Sequence, residues 1–184
     1  MKDDHRVRLT KMLLHDSMLE LMKDRPAGKV TVKELCEKAG VNRATFYAHY
    51  PDTYALLDEI QDMVTGEILH SFNTTLPNSS LREFTTEICR CILKNRRYCE
   101  VLFGKYGDES FLTDIIGIVR AQSIESLKKT GSGAQEGELE RLFTFLSNGC
   151  VAVVRSWVQE GMTAPPEEIA DFMEKAALSC AAAF

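Results

Sequence analysis

The chain has 184 residues, 45% of them apolar and 27% charged, with a formal net charge of −5. That balance suits a folded protein with a water-facing surface and excludes a disordered tail, and no apolar run is long enough to span a bilayer. The length supports one substantial domain, or a small one joined to a larger one.

The start, MKDDHRVRLTK, lacks the apolar region of a secretory signal, so a cytoplasmic protein without membrane contact is expected. The charge is unevenly placed. Residues 1 to 56 carry ten Lys/Arg against eight Asp/Glu, and the remainder carry twelve against nineteen. A weakly basic head on an acidic body allows local phosphate contacts and discourages nucleic acid from binding elsewhere. The six cysteines, at 36, 89, 91, 99, 150 and 180, show no C-x-x-C spacing and no adjoining histidine cluster, which argues against a zinc site. Reduced thiols are expected in the cytoplasm, with redox sensing by Cys89, Cys91 and Cys99 as the alternative.

In chain order, the first helix runs from about Arg6 to Lys23. Leu9, Met12, Leu13, Leu21 and Met22 recur along it, and Ser17 admits close contact. Pro26 and Gly28 end it. Thr31 and Glu34 have capping-box spacing, so a second helix begins there, with Val32, Leu35 and Ala39 as its apolar stripe. Gly40 suits a sharp left-handed exit. Asn42 then caps a third helix from about Arg43 to His49, with Phe46 and Tyr50 turned inward, Ala44 approaching a neighbour closely, and Arg43, Thr45, Tyr47 and His49 left outward or flanking. A break of this size between two short helices fits a helix-turn-helix and equally fits a plain helical corner.

The run AGVNRATFYAHYPDTYALL resembles the signature of the TetR family of bacterial transcriptional regulators: a glycine turn, a small capping residue, a basic residue, a threonine, an aromatic–tyrosine pair and a second aromatic before the fourth helix. The resemblance covers roughly the first 60 residues. It implies an all-α protein in which a three-helix DNA-binding head, 1–52, joins a helical ligand-binding and dimerisation domain, 53–184. The family usually has a lysine near the start of the fourth helix, where it meets a phosphate. This chain has Thr53, whose hydroxyl can give one hydrogen bond without the charge.

Within the head, Arg43 is the expected base-edge or near-edge donor, since its fork matches guanine acceptors. Thr45 is expected at a thymine methyl or a phosphate, and Tyr47 resembles the family's phosphate-contacting tyrosine. His49 is either a DNA-facing donor or a cap for the short helix. Asn42 satisfies the helix terminus close to the backbone, and Thr31 sets the second helix's first amides against a phosphate.

A long fourth helix is expected from Thr53 to about Leu76, with Leu56, Leu57, Ile60, Val64, Ile68, Leu69 and Phe72 in register. It is the candidate transmission helix, stopped by Pro77-Asn78-Ser79. Ser80 and Glu83 cap a fifth helix to about Asn95, and RRYCEVLFGKYG forms a shorter piece ending near Gly107. Its Tyr98, Leu102, Phe103 and Tyr106 suit a cavity wall or solid packing, which periodicity does not separate. Another helix is expected from Ser110 to Lys129, followed by the flexible connection GSGAQEG.

The last two helices run from about Glu138 to Glu160 and onward from PPEE, where proline and acidic residues hold favourable first positions. They resemble the terminal pair that forms the family's dimeric four-helix interface, which implies contacts by Leu142, Leu146, Cys150, Val153, Trp157, Ile169, Phe172, Met173, Ala176 and Cys180. The segment NGCVAVVRSWVQEGMTAPPEE is similar to a ligand-domain subgroup common in Firmicutes, including regulators near dihydroxyacetone kinase operons.

The resemblance also implies a small-molecule effector, with Phe72, Phe103 and Tyr106 as cavity residues and Arg120 or Trp157 as polar-capable members. The partners expected are a duplex operator, an inverted repeat, and a second copy of the chain. No cofactor, metal or catalytic residue is expected, because no phosphate glycine loop, metal cluster or nucleophile elbow is present. Repression is the expected sign. Activation, or a protein-interaction adaptor retaining the helix-turn-helix fold, is the alternative.

Overall fold

The computed structural model describes residues 2–75, 80–107, 111, 116–117, 120 and 136–182, which contain eight α-helices and no strand. The protein is all-α, with a helix-turn-helix head and a helical C-terminal domain. The helices are α1 (Lys2–Met22), α2 (Val32–Ala39), α3 (Arg43–Tyr47), α4 (Thr53–Thr75), α5 (Leu81–Lys94), α6 (Arg96–Leu102), α7 (Glu136–Gln159) and α8 (Pro166–Ala181). The connection after α4, most of the helix expected over Ser110 to Lys129 and the linker through residue 135 lie outside the described residues, whereas Glu136 and Gly137, expected in the flexible GSGAQEG connection, already belong to α7.

The compact units are not two consecutive pieces of chain. The first comprises Met1–Gly66 and Arg97–Asp108, and the second Glu67–Arg96 and Glu109–Phe184, so α4 contributes to both.

In the first unit, Leu14, Met18, Leu19 and Met22 of α1 pack with Leu35, Phe46, Leu56, Ile60 and Val64, all of them buried. Sequence periodicity puts Leu9, Met12 and Leu13 on this face. They are instead 45%, 50% and 38% exposed. The buried stripe starts only at Leu14, because the other short helices of the unit cover the C-terminal half of α1. Ala44, expected in close contact, is exposed as well, since Phe46 fills the inward side of so short a helix.

The α6 segment is bound to this unit by the Arg97–Asp16 ion pair at 2.6 Å. At its end the chain folds back so tightly that a Cβ on Gly107 would stand 1.9 Å from the Leu102 carbonyl oxygen.

In the second unit α5 packs on α8, and α8 on α7. Ser80 and Glu83 form the expected capping box at α5. Across α5 and α8, Arg82 pairs with Asp171, and Arg90 with Glu167 at 2.6 Å. The sequence signals for the turn into α8 hold: Gly161 at φ +80 ends α7, and Pro166 opens α8 with Glu167 and Glu168 in its first turn. Met162 also takes positive φ. Its amide donates to the Trp157 carbonyl at 2.8 Å, and burial of its side chain compensates the strained backbone.

Candidate nucleic-acid interface

The helix-turn-helix is built by two caps and one glycine. Thr31 Oγ1 accepts from the Glu34 amide at 3.3 Å, and Glu34 Oε2 accepts from the Thr31 amide at 3.1 Å and its hydroxyl at 2.7 Å, closing the predicted capping box. The hydrogen bond from the Thr31 hydroxyl, then that from its amide, holds the Glu34 carboxyl below its ordinary range, with Arg25 adding to the effect. Gly40 follows at φ +65, ψ +28, a left-handed exit that only glycine adopts without penalty. Asn42 Oδ1 then accepts from the Thr45 amide at 2.7 Å and starts α3.

The third helix is five residues long, shorter than the span to His49 read from the sequence, because Ala48 and His49 already lie in the turn toward Tyr50. Phe46 is fully buried and anchors it, with its ring edge-on to Tyr47 at 5.4 Å and tilted against Tyr50 at 5.8 Å. With that side committed to the core, Arg43 and Tyr47, one turn apart, face outward, and Tyr47 is 57% exposed. Thr31 and Asn42 are exposed, while Thr45 and His49 are half-buried. Six of the seven residues expected to meet DNA are therefore on or at the edge of the accessible surface. Thr53 is the exception: it is 7% exposed. The exposed residue at the start of α4 is Tyr54, at 58%, which sequence reading passed over because the two adjacent positions differ only in the direction they face.

Behind this surface lies a polar knot that no motif announces. Glu59 of α4 takes Lys11 Nζ at 2.7 Å, and its other oxygen is 3.4 Å from His15 Nε2. The Tyr50 hydroxyl is 3.4 Å from the same His15 nitrogen, and Lys11 Nζ stands 5.4 Å from the Tyr50 ring centre. Burial lowers the His15 pKa below its ordinary 6.5, against the raising influence of Glu59. Burial would push the Glu59 carboxyl up, but Lys11, Tyr50 and His15 together hold it below its ordinary value. Burial and the nearby Glu59 push the Tyr50 phenol up. The knot joins α1, Tyr50 three residues beyond α3, and α4.

The residues expected to bind an effector fall in both units. Phe103, buried, and Tyr106, half-buried, belong to the first, whereas Arg120 and Trp157 belong to the second. Arg120 is exposed and paired with Glu140. Trp157 is buried, and its indole N–H donates to the Ala164 carbonyl at 2.9 Å, closing the α7–α8 turn. The side chain of Phe72 lies outside the described residues.

Of the expected dimer residues, Leu142, Trp157 and Met173 are buried inside the second unit, and Leu146, Cys150, Val153, Ile169 and Cys180 are half-buried. Phe172 and Ala176 of α8 are exposed, as are Phe145, at 67%, Gly149 and Ala152 of α7. Phe145 was missed because Phe143, two residues before it, satisfies the same apolar pattern from the inner side.

Cys89, Cys91 and Cys99 are buried, and burial pushes the Cys89 thiol up to about 12, away from the thiolate form that redox sensing uses. Among the described residues, no group of His, Cys, Asp and Glu is arranged to hold a metal ion, and no helix is long and apolar enough to cross a membrane.

A family model described as "Bacterial regulatory proteins, tetR family" matches residues 16–60, and one described as "Transcriptional regulator C-terminal region" matches residues 79–178. The chain belongs to the TetR family of transcriptional regulators. Members of that family bind DNA operators, usually as dimers with small-molecule effectors.

An uncharacterised helix-turn-helix-type transcriptional regulator of Bacillus subtilis (strain 168), YxbF, is 25% identical over 162 residues, 84% of this chain and 41% of that relative. The chain thus spans about two fifths of the length of this curated relative. Among solved structures, a TetR transcriptional regulator from Streptococcus agalactiae 2603V superposes with a TM-score of 0.70 at 20% identity, covering 96% of this chain and 98% of that one. The dihydroxyacetone kinase operon activator DhaS superposes with a TM-score of 0.56 at 17% identity, covering 95% and 97%. At these identities, the structural likenesses establish the TetR fold.

Proposed function

We propose that this TetR-family regulator is a cytoplasmic, non-catalytic homodimer that binds an inverted-repeat operator and loses or gains affinity with a small molecule held by its C-terminal domain. The observation that carries this reading is the two-sidedness of α3: Phe46 fully buried on one side, Arg43 and Tyr47 exposed on the other. Arg43 is assigned to a base edge, Tyr47 and Thr31 to phosphates, Thr45 to a thymine methyl or a phosphate, and His49 to the flank, with Asn42 ordering the helix start. The head is taken as residues 1–52 and the effector and dimer region as 53–184.

One short helix gives limited base contact, so a second head at the other half-site supplies the rest of the affinity. The exposed stripe Phe145, Gly149 and Ala152 of α7, with Phe172 and Ala176 of α8, supports a four-helix dimer interface. Leu146, Cys150, Val153, Ile169 and Cys180 flank it, and Leu142, Trp157 and Met173 support it from inside. An effector acts only by preferring one spacing of the two heads over another, and Phe72, Phe103, Tyr106, Arg120 and Trp157 are the residues assigned to it.

Repression is the reading adopted, because an occupied operator excludes other proteins without further contacts. The fold match to an operon activator keeps activation as the second reading. Selecting bound sequences from random duplexes tests the proposal. An enriched inverted repeat is expected for the parent, and Arg43→Ala with Tyr47→Ala should abolish specific binding while the dimer stays intact. A protein-interaction adaptor would instead select no sequence in either form.

A further inference from the structure

We propose that the phosphate donor at the start of α4 is the hydroxyl of Tyr54, seated over Gly28, and that Thr53 takes no part in this contact. The inference rests on the operator-binding reading and adds one contact to it. Thr53 is 7% exposed and Tyr54 58%, so the first turn of α4 turns its threonine inward and its phenol outward.

The position of that phenol is set by Gly28, in the short 3-10 turn Ala27–Lys29 that leads from α1 to Thr31 and α2. A Cβ built on Gly28 would stand 2.6 Å from the Tyr54 hydroxyl oxygen and 3.7 Å from the ring carbon bearing it. The first distance is a collision and the second is ordinary contact, so the missing Cβ makes room for the hydroxyl and for nothing else on the ring. The start of α4 is thereby brought beside the exposed residues entering α2, Lys29 and Thr31.

At the start of α4 one of the free amides is already taken. Asp52 Oδ1 accepts from the Ala55 amide at 2.9 Å, so a carboxylate already occupies the cap. A phosphate approaching beside that carboxylate gains from a side-chain donor. Among the described residues the Tyr54 hydroxyl has no hydrogen-bond partner, and Lys29 is the exposed cation next to its glycine seat. A phenol is neutral, so the contact adds direction without releasing a counterion.

Phosphate contacts are independent of sequence, so a random-sequence duplex is a sufficient probe, titrated against the full-length chain at several salt concentrations. Tyr54→Phe should weaken binding on the order of tenfold per head, with the salt slope and the melting temperature unchanged. Gly28→Ala should produce a similar loss with Tyr54 present and no further loss in Tyr54→Phe, because the ring alone clears the added methyl. Tyr54→Lys should restore affinity and steepen the salt slope by about one contact per head.

Parent-like binding by Tyr54→Phe would overturn the assignment. So would fully additive losses from Gly28→Ala and Tyr54→Phe, or a loss produced by folded Thr53→Val. A parent chain that ignores every duplex would instead remove the operator-binding reading on which the assignment stands, which separates the two failures.

Discussion

His15 shows how one side chain in the head couples stability to pH. Its folded-state pKa lies below the ordinary 6.5, chiefly through burial, with Lys11 acting in the same direction and Glu59 and Asp16 against it. The Tyr50 hydroxyl is the other group at its nitrogen. The unfolded chain therefore binds the proton first. Stability is complete above 6.5 and drains as pH falls below it, until the lowered folded-state pKa is reached. Glu59 is also held below its ordinary 4.5, so its contribution is lost only in more acid solution. Chemical denaturation of the parent should show stability falling from about pH 7 to pH 5, and His15→Gln should flatten that slope. An unchanged slope in the variant would place the acid sensitivity elsewhere. Nothing in the sequence pointed to this knot, because Lys11, His15, Tyr50 and Glu59 are scattered over three elements and meet only in the folded head.

At the scale of the element, the helix-turn-helix depends on short-range chemistry that was readable in advance. Thr31 and Glu34, Gly40 and Asn42 occupy the positions that spacing assigned them, since capping and left-handed turns depend on a few neighbouring backbone atoms. Thr31→Ala should destabilise the chain by about 1 kcal/mol and expose the first amides of α2, measured as a shift of the denaturation midpoint. Gly40→Ala should cost about 1–2 kcal/mol by forcing a side chain into the left-handed region. Phe46→Ala should cost about 3–5 kcal/mol, because the ring is fully buried against its neighbours, and it should abolish DNA binding as the recognition helix loses its anchor.

Facing was harder to read than helix type. The first helix was legible as a helix, yet its buried stripe begins at Leu14, and at the start of α4 burial fell on Thr53 and exposure on Tyr54. A one-residue change in facing rotates a side chain by about 100° around the helix, and local pattern does not resolve that where both neighbours are amphipathic.

For the whole molecule, the prediction concerns the exposed stripe of α7 and α8. Phe145 and Phe172, at 67% and 59% exposure, should be covered in the dimer. Each buried phenylalanine contributes about 1.5–3 kcal/mol and each occurs twice in a symmetric pair, so Phe145→Glu with Phe172→Glu should weaken association by at least about a thousandfold. Sedimentation equilibrium should then show monomers of unchanged helical content. A variant that remains a dimer would remove this face from the interface and leave the fold assignment intact.

The sequence by itself determined the helices of the head, because caps, glycine positions and apolar period act over a few residues, and its resemblance to the TetR signature decided for the helix-turn-helix where spacing alone left a plain helical corner level with it. Tertiary structure alone decided which of two adjacent residues is presented, that α6 returns to the unit containing the head, and that Trp157 closes the α7–α8 turn with its indole N–H on Ala164. Those outcomes follow from competition among distant side chains for the same buried space, and the space exists only once the helices have packed.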